Sequence, residues 1–280
     1  MSVLFKRTLS SIFLFMIFVF CYYNQNHLFF LSLAFIFIFL ALFELCNLAN
    51  IIKFEKLLYW TLSLSLFIFF ILKSNYSYYI VYLCVFFWTF IAPITIYKKQ
   101  IFFNSFKFLI YPILILGVFF SVFHLYFYDK SLLLLVFFLV WISDISAYFF
   151  GKKFGKNKLA PFISPGKTIE GVLGAFLMNT IFIIIYSLLF SINFFNLLIL
   201  VIILVPASIL GDLFESLIKR ESNKKDSSNI IPGHGGILDR IDSLISVLPL
   251  MTFFSLLGFY LWRLFQFLDQ QAVLEKVHLM

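Results

Sequence analysis

Long apolar runs, broken by short charged or Asn-rich stretches, recur along the whole chain and fall near 8–23, 27–43, 57–72, 76–97, 108–127, 131–150, 169–190, 194–214 and 244–264. Most approach the roughly 20 residues that a helix needs to cross a hydrocarbon core of about 30 Å, while the first and third are short. Apolar and polar positions do not alternate in steps of two, which disfavours barrel strands; in lipid only helices and closed barrels satisfy the backbone. The pattern predicts an all-α, polytopic integral membrane protein with about nine transmembrane helices. Pro93, Pro112, Pro206 and Pro249 lie inside these runs, and membrane helices absorb proline as kinks when neighbours satisfy the freed carbonyls. No internal repeat is visible.

Composition closes off the alternatives. At 63% hydrophobic, 22% aromatic and 12% charged over 280 residues, the chain is far from the roughly 45–50% apolar and 25% charged of a soluble domain. Its 43 Phe residues exceed what a water-soluble interior holds, and disorder or a collagen-like structure is excluded on the same ground. Cys21, Cys46 and Cys84 all sit in apolar runs with no CxxC pair, so they read as packing residues. The N-terminal stretch has the basic start and apolar run of a signal peptide but no A-x-A-like cleavage site, and is expected to remain as the first helix.

Charge then gives orientation. If nine crossings alternate, 17 of the 21 Lys and Arg residues fall on the side of the N-terminus, which the positive-inside rule assigns to the cytoplasm. Nine of the 11 Gly lie between 151 and 236, and eight of the 13 acids between 144 and 242. The chain therefore divides into N-terminal membrane helices, 1–130, and a catalytic membrane part, 131–280, with its polar residues on the cytoplasmic face.

Within that second part, Asp144 is an acid placed inside a helix about 9 Å from its expected end. Such a residue is either functional or bridged to a neighbouring cation. Asp212, Glu215 and Lys219 are spaced i, i+3, i+7 and share a helix face with Ser216 nearby; Lys219 and Arg220 would equally suit a membrane boundary. After a Pro and three Gly, Asp239 and Asp242 stand at i and i+3, where they could face one divalent cation, Mg²⁺ by their oxygen-only chemistry, or complement a helix dipole. His234 lies among glycines whose backbone N–H groups could approach an anion. The loop GKKFGKNKLAPFISPGKTIEG holds five Lys, with Thr168 and Glu170 at the start of the next helix, and fits either a phosphate cradle or a topology signal; Lys152, Lys153, Lys156 and Lys158 fit the latter. No nucleophile motif, Walker loop, GxGxxG turn or nucleic-acid module is present. Acids for Mg²⁺ and cations for several phosphates at a membrane surface point to phosphoryl or nucleotidyl transfer between a soluble polyphosphate and a lipid.

The segment SLIKRESNKKDSSNIIPGHGGILDRID, 216–242, resembles the signature of the phosphatidate cytidylyltransferase (CDP-diacylglycerol synthase) family. It matches at Ser216, Lys219, Arg220, Lys225, Asp226, His234, Gly235, Gly236, Asp239, Arg240 and Asp242. GDLFES, DISAYFFGKKFGK and SPGKTIEG support the likeness, although Gly166 stands where the family commonly has Lys. The resemblance is strong over 140–245, and before residue 130 extends only to the membrane helices.

It implies a Mg²⁺-dependent reaction, with room for a second cation, that joins CTP to phosphatidic acid in phospholipid biosynthesis at a bacterial cell inner membrane. The expected partners are CTP, phosphatidic acid and the lipid bilayer, with a homodimer as a further option and no nucleic acid. Asp212, Asp239, Asp242 and then Asp144 become metal ligands. Lys219, Arg220, Lys225, Asp226 and Arg240 become catalytic. Lys167, Thr168, Ser216, His234, Gly235 and Gly236 become substrate-binding residues. The nearest rival is a CTP-dependent polyprenol or other lipid kinase. A transporter would place its acids near the midplane between repeated halves, which the sequence does not show.

Overall fold

The computed structural model describes residues 23, 27–49, 53–72, 77–101, 106–231 and 235–258. The apolar runs become helices: α1 (His27–Leu48), α2 (Lys53–Leu72), α3 (Ser77–Phe86), α4 (Ala92–Lys98), α5 (Lys107–Tyr128), α6 (Lys130–Phe154), α7 (Ile169–Phe190), α8 (Phe194–Glu221) and the single turn α9 (Leu238–Ile241). A last apolar helix, α10, spans Leu244–Gly258. Among the described residues five helical spans are long and apolar enough to cross a membrane: Tyr78–Lys98, Lys107–Tyr128, Lys130–Phe154, Ile169–Phe190 and Phe194–Glu221. The run at 8–23 lies, but for Tyr23, outside the described residues.

Local chemistry sets the helix ends. Asp129 accepts from the Ser131 N–H to start α6, Thr168 from Gly171 to start α7, and Asn193 from Phe195 to start α8, each satisfying a donor that the first helical turn leaves free. Between α3 and α4 the helix widens into a π turn, Phe87–Ile91, in which Ala92 N–H reaches back to the Phe87 carbonyl. Pro93 follows at once and cannot donate, so the wider turn absorbs the interruption. It turns Phe87 and Trp88 inward onto Phe214 of α8, with T-shaped ring separations of 5.2 and 5.4 Å.

Two features go beyond the sequence pattern. The helix α6 continues past its apolar run through Lys152 and Lys153, so Asp144 stands ten residues before its end, about 15 Å along the axis. The loop after α6 is not irregular throughout: β1 (Lys158–Ala160) and β2 (Ser164–Thr168) pair as an antiparallel hairpin.

One hydrophobic core joins both parts of the chain, from Ile38 to Met251. Helices α6 and α7 approach closely because α7 presents small residues there. A Cβ on Gly174 would lie 2.3 Å from the Phe150 ring, and Asn179 donates to the Ser143 hydroxyl at 2.8 Å, the small-residue and polar pairing that associates helices in lipid. The opposite face of α7 is aliphatic and exposed, up to 77% at Leu188, which suits lipid and not water.

Candidate active site

The ends of α6 and α8, the hairpin and the 222–243 segment meet where the basic loops lie, and they bring most of the chemically expected residues together. Asp144 of α6, Asp212 of α8 and Asp242, just before α10, form an acidic cluster. Burial, then the Asp212 and Asp144 carboxylates, push the Asp242 carboxyl well above the usual carboxylate range, against the Ser243 N–H and the Lys167 charge. Ser243 N–H donates to Asp242 at 2.7 Å and its hydroxyl reaches Asp144 at 3.4 Å. Lys167, carried in by β2, pairs with Asp212 at 2.6 Å and also donates to the Ile209 carbonyl. The Ser216 hydroxyl donates to Asp212 at 3.3 Å. The hairpin thus delivers the cation that faces the acids, a role invisible while the segment read as a loop.

A second cluster surrounds Lys219. Its ammonium lies 2.8 Å from Asp239 Oδ1 and 2.5 Å from Glu215 Oε2. Glu215 meets Lys219 as an ion pair, whereas Asp239 is amply supplied with further donors. Its Oδ2 accepts from Ser227 N–H at 2.9 Å and Gly236 N–H at 2.7 Å, with the Ser227 hydroxyl 2.8 Å away. Burial raises the Asp239 pKa, but the Lys219 ammonium and these backbone N–H groups outweigh it and hold the carboxyl below its ordinary value. Asp239 and Asp242 therefore do not share one partner set, although the backbone stays helical from Leu238 to Asp242.

Other expected residues are placed as follows. Thr168 spends its hydroxyl oxygen on the Gly171 N–H. Arg220 donates to the Ile163 carbonyl at the hairpin turn. Lys225, Asp226 and Arg240 are exposed on the same side, as are Lys152, Lys153, Lys156 and Lys158; Arg240 and Lys167 are the cations near Asp144. Gly235 adopts φ +82°, a left-handed conformation natural to glycine, and its carbonyl accepts from Ile231 N–H. His234 lies outside the described residues.

Sequence reasoning missed Glu44. This carboxylate of α1 is 1% exposed and accepts from Ser227, Ser228, Ile237 and Leu238. The signal was available, a lone acid in the run ALFELCN, but the second apolar segment was ended at residue 43.

Among the described residues no three His, Cys, Asp or Glu side chains stand close enough to enclose a metal ion by themselves. Mg²⁺ rarely needs such a cage, because it keeps waters and borrows substrate phosphate oxygens around one or two carboxylates. The oxygen-only set Asp144, Asp212 and Asp242, whose carboxylates repel one another, fits that donor chemistry.

The chain resembles curated proteins over a little under half of its length. It is 50% identical over 129 residues to the phosphatidate cytidylyltransferase of Haemophilus influenzae, covering 44% of this chain and 45% of that protein. It is 48% identical over 122 residues to those of Staphylococcus haemolyticus and Staphylococcus aureus strain COL, covering 43% of this chain and 47% of each relative. The chain thus spans about half the length of the curated relatives it matches. The profile of the Cytidylyltransferase family matches residues 5–257, nearly the whole chain, and the protein belongs to that family.

Proposed function

We propose that the protein transfers the cytidylyl group of CTP to phosphatidic acid, giving CDP-diacylglycerol and pyrophosphate. The observation that carries this reading is the convergence of Asp144, Asp212 and Asp242, from three separate elements, near Lys167; the names of the relatives agree with it. The phosphatidate monoester is already largely ionised near neutral pH, so its oxygen attacks the α-phosphorus of CTP without a general base. The new P–O bond forms as the bond from the α-phosphorus to the α–β bridging oxygen breaks, and pyrophosphate leaves with the electron pair.

The chain's own residues bind, orient and neutralise. Asp144, Asp212 and Asp242 would hold Mg²⁺, which when bound offsets the charge of the phosphate oxygens. Lys219, fixed by Asp239 and Glu215, and Lys167, fixed by Asp212, would face phosphates as oriented cations, with Arg220, Lys225 and Arg240 around them. Gly235 and Gly236, with His234, would receive the triphosphate, and Ser216 and Thr168 steady Asp212 and the start of α7. Preorganised charge of this kind supplies most of the catalysis in such transfers. The one-sided distribution of Lys and Arg supports a cytoplasmic N-terminus and site, in a bacterial inner membrane. The test is a purified preparation given CTP, phosphatidic acid and Mg²⁺: pyrophosphate should appear only when both substrates are present, and release of CDP in its place would indicate the lipid-kinase reading.

A further inference from the structure

Glu44 belongs to the part of the chain with no signature motif, yet its carboxylate lies against the segment that carries the signature. Oε1 accepts from the Ser228 hydroxyl at 2.6 Å and Ile237 N–H at 2.9 Å; Oε2 accepts from the Ser227 hydroxyl at 2.9 Å and Leu238 N–H at 2.8 Å. The donors come in two pairs, one from each end of the 227–238 loop. A single carboxylate therefore closes that loop on itself and fastens it to α1. Gly236 allows the closure, since a Cβ there would lie 2.0 Å from the Ser227 hydroxyl and 2.4 Å from both Glu44 oxygens.

The contacts continue inward. The backbone of the clamped loop then holds Asp239: Ser227 N–H and Gly236 N–H donate to its Oδ2 at 2.9 and 2.7 Å, and its Oδ1 accepts from Lys219. Glu44 is thus linked, through the loop backbone and Asp239, to the ammonium that faces the reaction. An acid in an apolar helix is costly unless its oxygens are satisfied, and here every donor that satisfies it belongs to the signature loop.

We propose that Glu44 is a positioning residue for cytidylyl transfer: by clamping both ends of the 227–238 loop it holds Asp239, and through Asp239 the Lys219 ammonium, in place for the substrate phosphates. The inference rests on the functional reading above for what Lys219 meets, and on hydrogen-bond geometry alone for the clamp. It gives the N-terminal helices a part in the chemistry beyond anchorage.

The test uses the full chain in detergent with Glu44→Gln, whose amide nitrogen cannot accept from the N–H and hydroxyl donors, and with Ser228→Ala, which removes one donor and spares the carboxylate. For Glu44→Gln, kcat/KM should fall at least tenfold with KM for CTP raised at least fivefold, a change that a smaller folded fraction cannot produce. Hydrogen–deuterium exchange should rise in 226–238 while α6 and α7 stay protected. Ser228→Ala should give a smaller loss, and the double variant less than the product of the two, because they break one shared network. Wild-type KM with wild-type exchange in the loop would overturn the proposal, as would exchange raised equally in α6, α7 and α8. Exchange needs no substrate: a wild-type protein inactive toward CTP and phosphatidic acid would remove the catalytic role, while the loop-local exchange would still decide the clamp.

Discussion

Gly211 sits one residue before Asp212, where α8 touches the segment that carries Asp242, and replacing it with Ala tests whether that contact sets the acidic cluster. A Cβ on Gly211 would lie 2.5 Å from the Asp242 carbonyl oxygen, 2.5 Å from the Ser246 hydroxyl and 3.3 Å from the Ser243 Cα. These distances are roughly 1 Å short of ordinary contact for the first two atoms. The hydroxyl can rotate away, at the loss of its bond to the Ala207 carbonyl; the Asp242 carbonyl is backbone and moves only with its segment. Overpacking of this kind costs about 1–3 kcal/mol and the lost hydrogen bond about 1 kcal/mol, so Gly211→Ala should destabilise the protein by ~2–4 kcal/mol. Displacing a site carboxylate by on the order of 1 Å should also lower turnover about 10²-fold. Thermal unfolding in detergent and a pyrophosphate-release assay read the two effects. Ser246→Ala alone should cost only the hydrogen bond and keep most of the activity, and adding it to Gly211→Ala should not restore turnover, because the carbonyl clash remains. If Gly211→Ala kept turnover within twofold and an unchanged Tm, the close approach of α8 to the Asp242 segment would be refuted.

Further outcomes follow from the same geometry. Asp242→Asn should abolish Mg²⁺-dependent turnover while raising Tm in the absence of the ion, since it removes one of three neighbouring acids that repel one another; retained activity would remove Asp242 from the metal assignment. Lys219→Ala leaves Asp239 and Glu215 without their cation and should destabilise by about 3–5 kcal/mol and lower turnover more than 100-fold, whereas exposed Lys156→Ala should stay within twofold; equal losses in a Tm and turnover comparison would mean that the cations act only as bulk charge. A Cβ at Gly166 meets nothing within 4 Å, so Gly166→Lys should leave Tm unchanged and lower KM for CTP at low salt, a gain that added salt should erase.

Much of the fold could be read from the sequence because a membrane helix announces itself by length and uniform apolarity. The run at 169–190 has the same limits as α7, and 76–97 reappears in α3, the π turn and α4. Helix ends are less plain: the end of α8 is legible from the i, i+3, i+7 spacing of Asp212, Glu215 and Lys219, whereas α6 continues in helical conformation through Lys152 and Lys153, where polarity alone reads as a loop. The hairpin escaped notice because its two strands are only three and five residues long and SPGKT carries no strand-like alternation. The site was legible as a set of residues but not as partnerships. Spacing allowed Asp239 and Asp242 to face one cation or to complement a helix dipole, and only the folded chain shows Asp239 paired with Lys219 and Asp242 beside Asp144 and Asp212. Glu44 acts across 183 positions of sequence from Ser227, a separation over which no local pattern carries information.

The central claim is that the α-phosphorus of CTP, and not the γ, is transferred to the lipid. Purified protein supplied with phosphatidic acid, Mg²⁺ and CTP labelled at either the α- or the γ-phosphate tests it directly. The α-label should enter the lipid as CDP-diacylglycerol while γ-label leaves as pyrophosphate in equal amount. γ-Label in the lipid fraction with CDP in solution, or no labelled lipid from either nucleotide, would contradict it.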